Sequence, residues 1–185
     1  MQAVATNCNG IDTEALKTTT AAVSHDPKKG LARFVVATDW KGGTQSETRV
    51  ERWSLGEKQM PRAFTIRTDE PRELLGKGAA PNPQEVLMAG LNSCMMVGYV
   101  AGCAARGIEL ESLTIETEGE LDLRGFLGLD EKVKPGYDEL RYVVRIKGNG
   151  TPEQFEEVHR TVMRTSPNYW NIANPVQLRP RLVVE

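Results

Sequence analysis

Three thiols, two imidazoles and an arginine set among apolar strand residues are the side chains here whose types could carry nucleophilic chemistry. Cys8, Cys94 and Cys103 contain no Cys-x-x-Cys spacing, and with His25 and His159 they lack the spacing of zinc ligands, so no metal and no cofactor is expected. Cys94 lies in the run LNSCMM, inside a stretch from Val86 to Ala105 that carries no charge. Two readings of it stand. As a free cysteine in an apolar helix it is a small core residue. As a thiolate it is a nucleophile that needs a nearby cation, because a sulfur in mid-helix gains nothing from the helix N-terminus. Arg67 suits that need, since its parity in FTIRT puts it on the face opposite the apolar Phe64 and Ile66, although a strand arginine taken alone is expected to lie in solvent. Asn92 and Ser93, beside Cys94, point to a pocket or a second polar element facing this part of the helix. Cys103 is nine residues on, about half a turn round the helix and ~13 Å along it, which excludes a disulfide with Cys94 and leaves core packing as its role. Cys8 belongs to an N-terminal segment expected to be poorly ordered, and an exposed thiol is expected there. His159 adjoins the apolar face of its helix, and a Cys94/His159 hydrolase pair would need an oxyanion-hole motif that is not found.

The elements that must position these groups follow from capping and periodicity. Asp12 caps a helix over TEALKTTTAAVS that ends near His25-Asp26-Pro27. Leu31 to Trp40 and Thr44 to Trp53 read as strands joined by a Gly42-Gly43 turn into a hairpin, and Arg62 to Thr68 is a third strand. After a Gly/Pro-rich stretch from Glu70 to Pro81, Asn82-Pro83-Gln84-Glu85 supplies an N-cap, a first-turn proline and a capping glutamate. The helix that follows ends at Arg106-Gly107 and, being apolar throughout, is expected to be buried on nearly all sides. Leu113, Ile115, Thr117, Leu121 and Leu123 share one parity, and Leu140, Tyr142, Val144 and Ile146 another, giving two half-buried strands. Arg124 to Gly136 is a loop too apolar, with Phe126, Leu127 and Leu129, to be a mere solvated connector. Thr151-Pro152-Glu153-Gln154 opens a helix with Phe155, Val158 and Val162 on one face, ending by Ser166-Pro167. Val176, Leu178, Leu182 and Val184 alternate as a last strand, placed at an edge or bulge by Pro180. Strands adjacent in sequence favour an α+β fold with a largely antiparallel sheet.

Composition removes several function classes. The 185 residues fit one domain, and 23 Lys+Arg against 25 Asp+Glu leave no basic field to drive nucleic-acid binding. Scattered cysteines and an opening without a signal-peptide pattern point to the reducing cytoplasm. The uncharged stretch is long enough for a bilayer and holds a Gly98/Gly102 GxxxG pair. Its Asn92, Ser93, Cys94 and Tyr99, and flanks without an aromatic belt or basic cluster, favour a core helix and no membrane.

The run from Asn82 to Cys94, NPQEVLMAGLNSC, resembles the active helix of the OsmC/Ohr family, the osmotically inducible and organic hydroperoxide resistance proteins. RGIELESLTIETEGELD resembles the strand after that helix, SPNYWNIANPVQLRPRL the C-terminal end, and WKGGT and FTIRT the N-terminal strands. The likeness covers roughly Leu31 to Val184. DLRGFLGL and an N-terminal extension over residues 1–30, ahead of an OsmC-like domain over 31–185, resemble a longer branch of the family. The resemblance implies an intertwined α+β homodimer in which mostly antiparallel sheets wrap central buried helices and the sites lie at the subunit interface. It also implies a peroxidase in oxidative-stress defence, whose peroxidatic cysteine attacks a hydroperoxide, becomes a sulfenic acid and condenses with a second cysteine. Cys94 matches the peroxidatic cysteine and Arg67 the arginine that holds it as thiolate.

Two positions depart from the family pattern. Gln84 stands where the glutamate that pairs with the arginine is expected, and a neutral amide cannot anchor a guanidinium by charge; Glu85 is the candidate substitute. Ser166 occupies the resolving cysteine's place and cannot form a disulfide. Ten residues of helix put Gln84 ~15 Å from Cys94 along the axis, so Gln84 or Glu85 would assist Cys94 only across the dimer. The expected function is reduction of organic hydroperoxides or hydrogen peroxide by one cysteine, with an external thiol or dithiol as reductant. The alternative is a non-catalytic dimeric protein that binds an apolar small molecule.

Overall fold

The computed structural model describes residues 7–185, which divide into two compact units, residues 7–89 and 90–185. The first begins with a two-residue antiparallel pair, β1 (Asn7–Cys8) and β2 (Ile11–Asp12), turned by Asn9 and Gly10 at positive φ. An Asn-Gly turn of this kind matches the natural twist of a hairpin, so Cys8 is paired opposite Ile11 and half-buried, not an exposed thiol in a loose tail. The Asp12 carboxylate accepts the Glu14 and Ala15 amides and starts α1 (Thr13–His25), which buries none of its residues. Then β3 (Ala32–Trp40), β4 (Ser46–Leu55) and β5 (Lys58–Thr68) form an antiparallel sheet in that order. The last strand begins earlier than alternation alone indicates, because a tight turn with Gly56 at φ 56° brings Lys58 directly opposite Leu55. Phe34 (73% exposed) and Phe64 (59%) remain uncovered within this chain.

Between β5 and the long helix, Gly76 donates its amide to the Pro71 carbonyl, and a Cβ there would lie 1.8 Å from the Glu70 oxygen, so only glycine fits the closure. Helix α2 (Pro83–Ala104) opens as its sequence indicates: the Asn82 side chain accepts the Gln84 amide at 2.7 Å, and Glu85 accepts the Asn82 amide at 2.8 Å.

The second unit contains the larger part of α2. Leu91, Met95, Tyr99 and Cys103, four residues apart, form one buried stripe packed with Ile108, Ile115, Val158 and Val162. Burial is thus one-sided, not all round; Val97 is 68% exposed, because one two-stranded sheet and one helix cover a single face. Its strands, β6 (Leu110–Glu118) and β7 (Arg141–Gly148), pair antiparallel with Ile115 opposite Val144. The strand expected to reach Leu123 stops at Glu118, since the Asp122 carboxylate accepts the Arg124 amide and winds the short α3 (Leu123–Phe126). Phe126, which ends that helix, and Leu129 in the loop after it are exposed.

Helix α4 (Pro152–Thr165) starts with a Thr151/Gln154 capping box and buries Val158 and Val162. Gly98 and Gly102 are the seam it packs into: a Cβ on either would lie 3.1 Å from Val162 or 3.2 Å from Val158. The GxxxG pair therefore serves helix packing inside this unit, on a helix whose length and apolarity alone would suffice for a bilayer. A further helix that periodicity does not predict, α5 (Pro167–Ala173), follows at once, capped by the Ser166 side chain with Pro167 in its first turn. The alternating C-terminal segment is not a strand. Residues 174–185 are exposed and form no ladder, since alternation supplies side-chain placement but the partner edge must come from elsewhere, and Pro180 offers no donor. The architecture is α+β with antiparallel sheets.

Candidate functional site

Cys94 lies one residue before the buried Met95, which places it on the flank of the core stripe, half-buried. The α4–α5 corner is built against it. There the Ser166 amide donates to the Val162 carbonyl at 2.8 Å, ending α4, while its hydroxyl oxygen accepts the Tyr169 amide at 3.4 Å, starting α5. The same hydroxyl donates to the Cys94 sulfur at 3.4 Å. Ser166 is 4% exposed, one of two buried polar residues among those described. Two residues on, the Asn168 amide group donates to the Gly90 carbonyl at 2.8 Å, one helical turn before Cys94. The corner is therefore stapled to α2 at two points.

The helix is fixed on its other flank by Asn92, which accepts from the Thr117 hydroxyl at 2.6 Å and donates to the Ile115 carbonyl at 3.2 Å. The second polar element that Asn92 points to is thus strand β6. Further along, the buried Tyr99 hydroxyl is hydrogen-bonded to His159 Nδ1, so His159 is engaged by Tyr99 and not by Cys94. Burial pushes the Tyr99 phenol far above the usual range and raises that of Tyr142 as well. Both tyrosines line a groove of about 500 Å³ with Val144, Ile146, Phe155 and His159.

Arg67 belongs to the first unit. It sits directly opposite Glu47 in the β4–β5 ladder, its Nε donating to Glu47 Oε2 at 3.1 Å, and Lys41 Nζ lies 3.6 Å from the other carboxylate oxygen. The bond from Arg67, reinforced by Lys41, holds the Glu47 carboxyl below the usual range. Lys41, Glu47, Arg67 and Ala79 line a pocket of about 320 Å³.

The wall of that pocket is organised by Asp69, 1% exposed. One of its oxygens accepts from the Thr44 hydroxyl at 2.6 Å and the Glu70 amide at 3.0 Å, and the other from the Lys77 and Ala79 amides at 3.1 Å each. These bonds, Thr44's foremost, depress its carboxyl. Gln84 and Glu85 lie exposed on the first turn of α2, Glu85 occupied in the capping box.

Of the residues singled out from sequence, the structure brings Cys94 and Ser166 together and gives Arg67 a carboxylate partner, Glu47. Neither Glu47 nor Asp69 was legible beforehand. Strand alternation in TQSETRVERW fixes which face Glu47 takes, but only the register makes it the neighbour of Arg67.

A family model described as OsmC-like protein matches residues 76–181. No curated protein sequence matches the chain. Among solved structures, an OsmC-like protein from Mycoplasma pneumoniae superposes with a TM-score of 0.61 at 13% identity, over 77% of this chain and 89% of that one. A Psychrobacter arcticus protein whose description refers to osmotic stress induction and a detoxification response gives 0.56 at 16% identity, over 72% and 84%. An OsmC-like protein of unknown function from Vibrio cholerae gives 0.53 at 18% identity, over 75% and 92%. At these identities the likeness is one of fold.

Proposed function

The chain belongs to the OsmC-like family, and from that premise we propose that it is a thiol-dependent peroxidase working through Cys94 alone. The Cys94 thiolate attacks one oxygen of a hydroperoxide; an S–O bond forms, the O–O bond breaks, and the departing alkoxide or hydroxide takes a proton from solvent. The sulfenic acid is then attacked by an external thiol, releasing water and leaving a mixed disulfide. A second thiol, or the other arm of a dithiol, displaces Cys94 and leaves as the oxidised reductant. Arg67 is the cation assigned to favour the thiolate, oriented by Glu47. The working form is a cytoplasmic homodimer, with residues 1–30 as an extension to the OsmC-like domain over 31–185.

The observation that carries this reading is the contrast between two cysteines on one helix. Cys103 is fully buried in the apolar core, whereas Cys94 is half-buried with a hydroxyl aimed at its sulfur. A non-catalytic binding protein is the second reading, favoured by a hydroxyl at position 166 where a second thiol would close the cycle, and by the apolar groove beside Tyr142. The deciding experiment follows loss of cumene hydroperoxide or hydrogen peroxide with dithiothreitol or dihydrolipoamide, together with trapping of a sulfenic acid by dimedone. Consumption that vanishes in Cys94→Ser, with the adduct on Cys94, is expected; equal rates in the two proteins overturn the peroxidase.

A further inference from the structure

The structure assigns Ser166 a direct part in the chemistry of Cys94: its hydroxyl is a fixed hydrogen-bond donor that favours the thiolate of the proposed peroxidase over the thiol, an assignment that rests on Cys94 being the reacting group. A serine side chain has one proton to give and lone pairs to accept with. Here the Tyr169 amide donates to the oxygen at 3.4 Å, so the hydroxyl proton is available to point elsewhere, and it is donated to the Cys94 sulfur at 3.4 Å. Three constraints keep it there: the α4 C-terminus fixes the Ser166 backbone through Val162, Pro167 fixes the turn into α5, and Asn168 ties that helix to Gly90 on α2. At 4% exposure, water does not compete freely for the donor.

A neutral thiol is a weak acceptor, while a thiolate takes a charge-assisted bond about twice as strong as a neutral one. A donor held at this position therefore discriminates between the two protonation states, and hydrogen bonding to the charged form favours that form. A free thiol titrates near ~8.5, so a few per cent is ionised at neutral pH, and lowering that midpoint by one unit multiplies the reactive fraction several-fold. In this assignment Ser166 is a functional replacement for a second thiol: it gives up the internal disulfide and supplies a donor to the reacting atom.

The test is the pH profile of iodoacetamide alkylation at Cys94, read site by site by mass spectrometry on the full-length protein, for the native chain, Ser166→Ala and Ser166→Thr. Ser166→Ala is expected to move the half-maximal alkylation rate to higher pH, read as a several-fold loss of rate at pH 7. Ser166→Thr, which keeps the hydroxyl and the cap, is expected to restore the native profile; circular dichroism reports folding, and a purely structural role would change melting without moving the profile. Superimposable profiles in folded native and Ser166→Ala proteins overturn the assignment. Because alkylation needs no peroxide, that failure is distinct from failure of the peroxidase, which shows only in hydroperoxide consumption.

Discussion

Restoring a sulfur at position 166 is the most direct probe of the corner against Cys94. The hydroxyl oxygen and the sulfur are 3.4 Å apart, and a disulfide requires ~2.05 Å, so the gap to close is small and the longer C–S bond supplies part of it. In Ser166→Cys the reduced protein should be destabilised, because the α5 cap that accepts the Tyr169 amide is lost, a cost of about 1 kcal/mol. Oxidation reverses the sign. The residues are separated by 72 positions, and the chain-entropy relation gives about 4 kcal/mol for closing a loop of that length. The oxidised variant should therefore be more stable than the native chain by about 3 kcal/mol. At roughly 2–4 °C per kcal/mol for a chain of this size, oxidation should raise its melting temperature by about 10 °C. The assay pairs thermal melts with and without diamide with intact mass, where loss of about two mass units reports the bond, and with cross-linked peptides joining Cys94 to position 166. A variant that stays reduced in excess diamide, or that pairs with Cys8 or Cys103 instead, would refute the placement of the corner.

The remaining predictions concern packing, the Asp69 loop and the Arg67 pocket. Gly98→Ala should change stability little in the native chain, since a helix-propensity gain of about 1 kcal/mol is offset by crowding of a Cβ 3.1 Å from Val162. Chemical denaturation should show the gain in a Val162→Ala background, and strict additivity of the two changes would contradict the seam. Asp69 has a depressed carboxyl, so the stability it lends is fully present above the ordinary value of 3.8 and is lost as pH falls through its folded value. Asp69→Asn should accordingly melt earlier than the native chain at pH 7, with the gap closing toward pH 3; a gap constant with pH would count against the four-bond account. Glu47→Gln should slow hydroperoxide consumption while leaving the melting temperature essentially unchanged, because Arg67 is 74% exposed and screened. A rate equal to the native one would show that Arg67 needs no carboxylate to act.

Elements with contrast in their sequence were legible, and those without it were not. Asp12, Asn82 and Thr151 announce helix starts because each is a side-chain acceptor placed before a run of amides, and all three cap as expected. Leu113, Ile115 and Thr117, and Tyr142, Val144 and Ile146, reveal two half-buried strands because polar residues alternate with them, while their pairing comes from the fold. The stretch from Val86 to Ala105 has no such contrast, so its buried stripe could not be separated from its exposed side, and the helix looked buried all round. Helix α5 is too short for periodicity to register. The contacts that make the site, Ser166 with Cys94 and Arg67 with Glu47, join residues 72 and 20 positions apart, which local pattern does not encode. Family resemblance linked the first pair; only the register of the folded sheet supplied the second.

The corner at Ser166 also bears on which reading of the chain is the stronger. A serine retained only to pack would need its oxygen satisfied once, and the Tyr169 amide already does that. Capping α5 accounts for the oxygen, at about 1 kcal/mol, but does not require that the hydroxyl proton be aimed at Cys94. What the hydroxyl adds is a donor, and its one acceptor at this place is a sulfur whose affinity for a proton decides its reactivity. The polar contact is better matched to a sulfur that changes charge than to one that stays neutral, and this weighs for chemistry at Cys94 over passive binding.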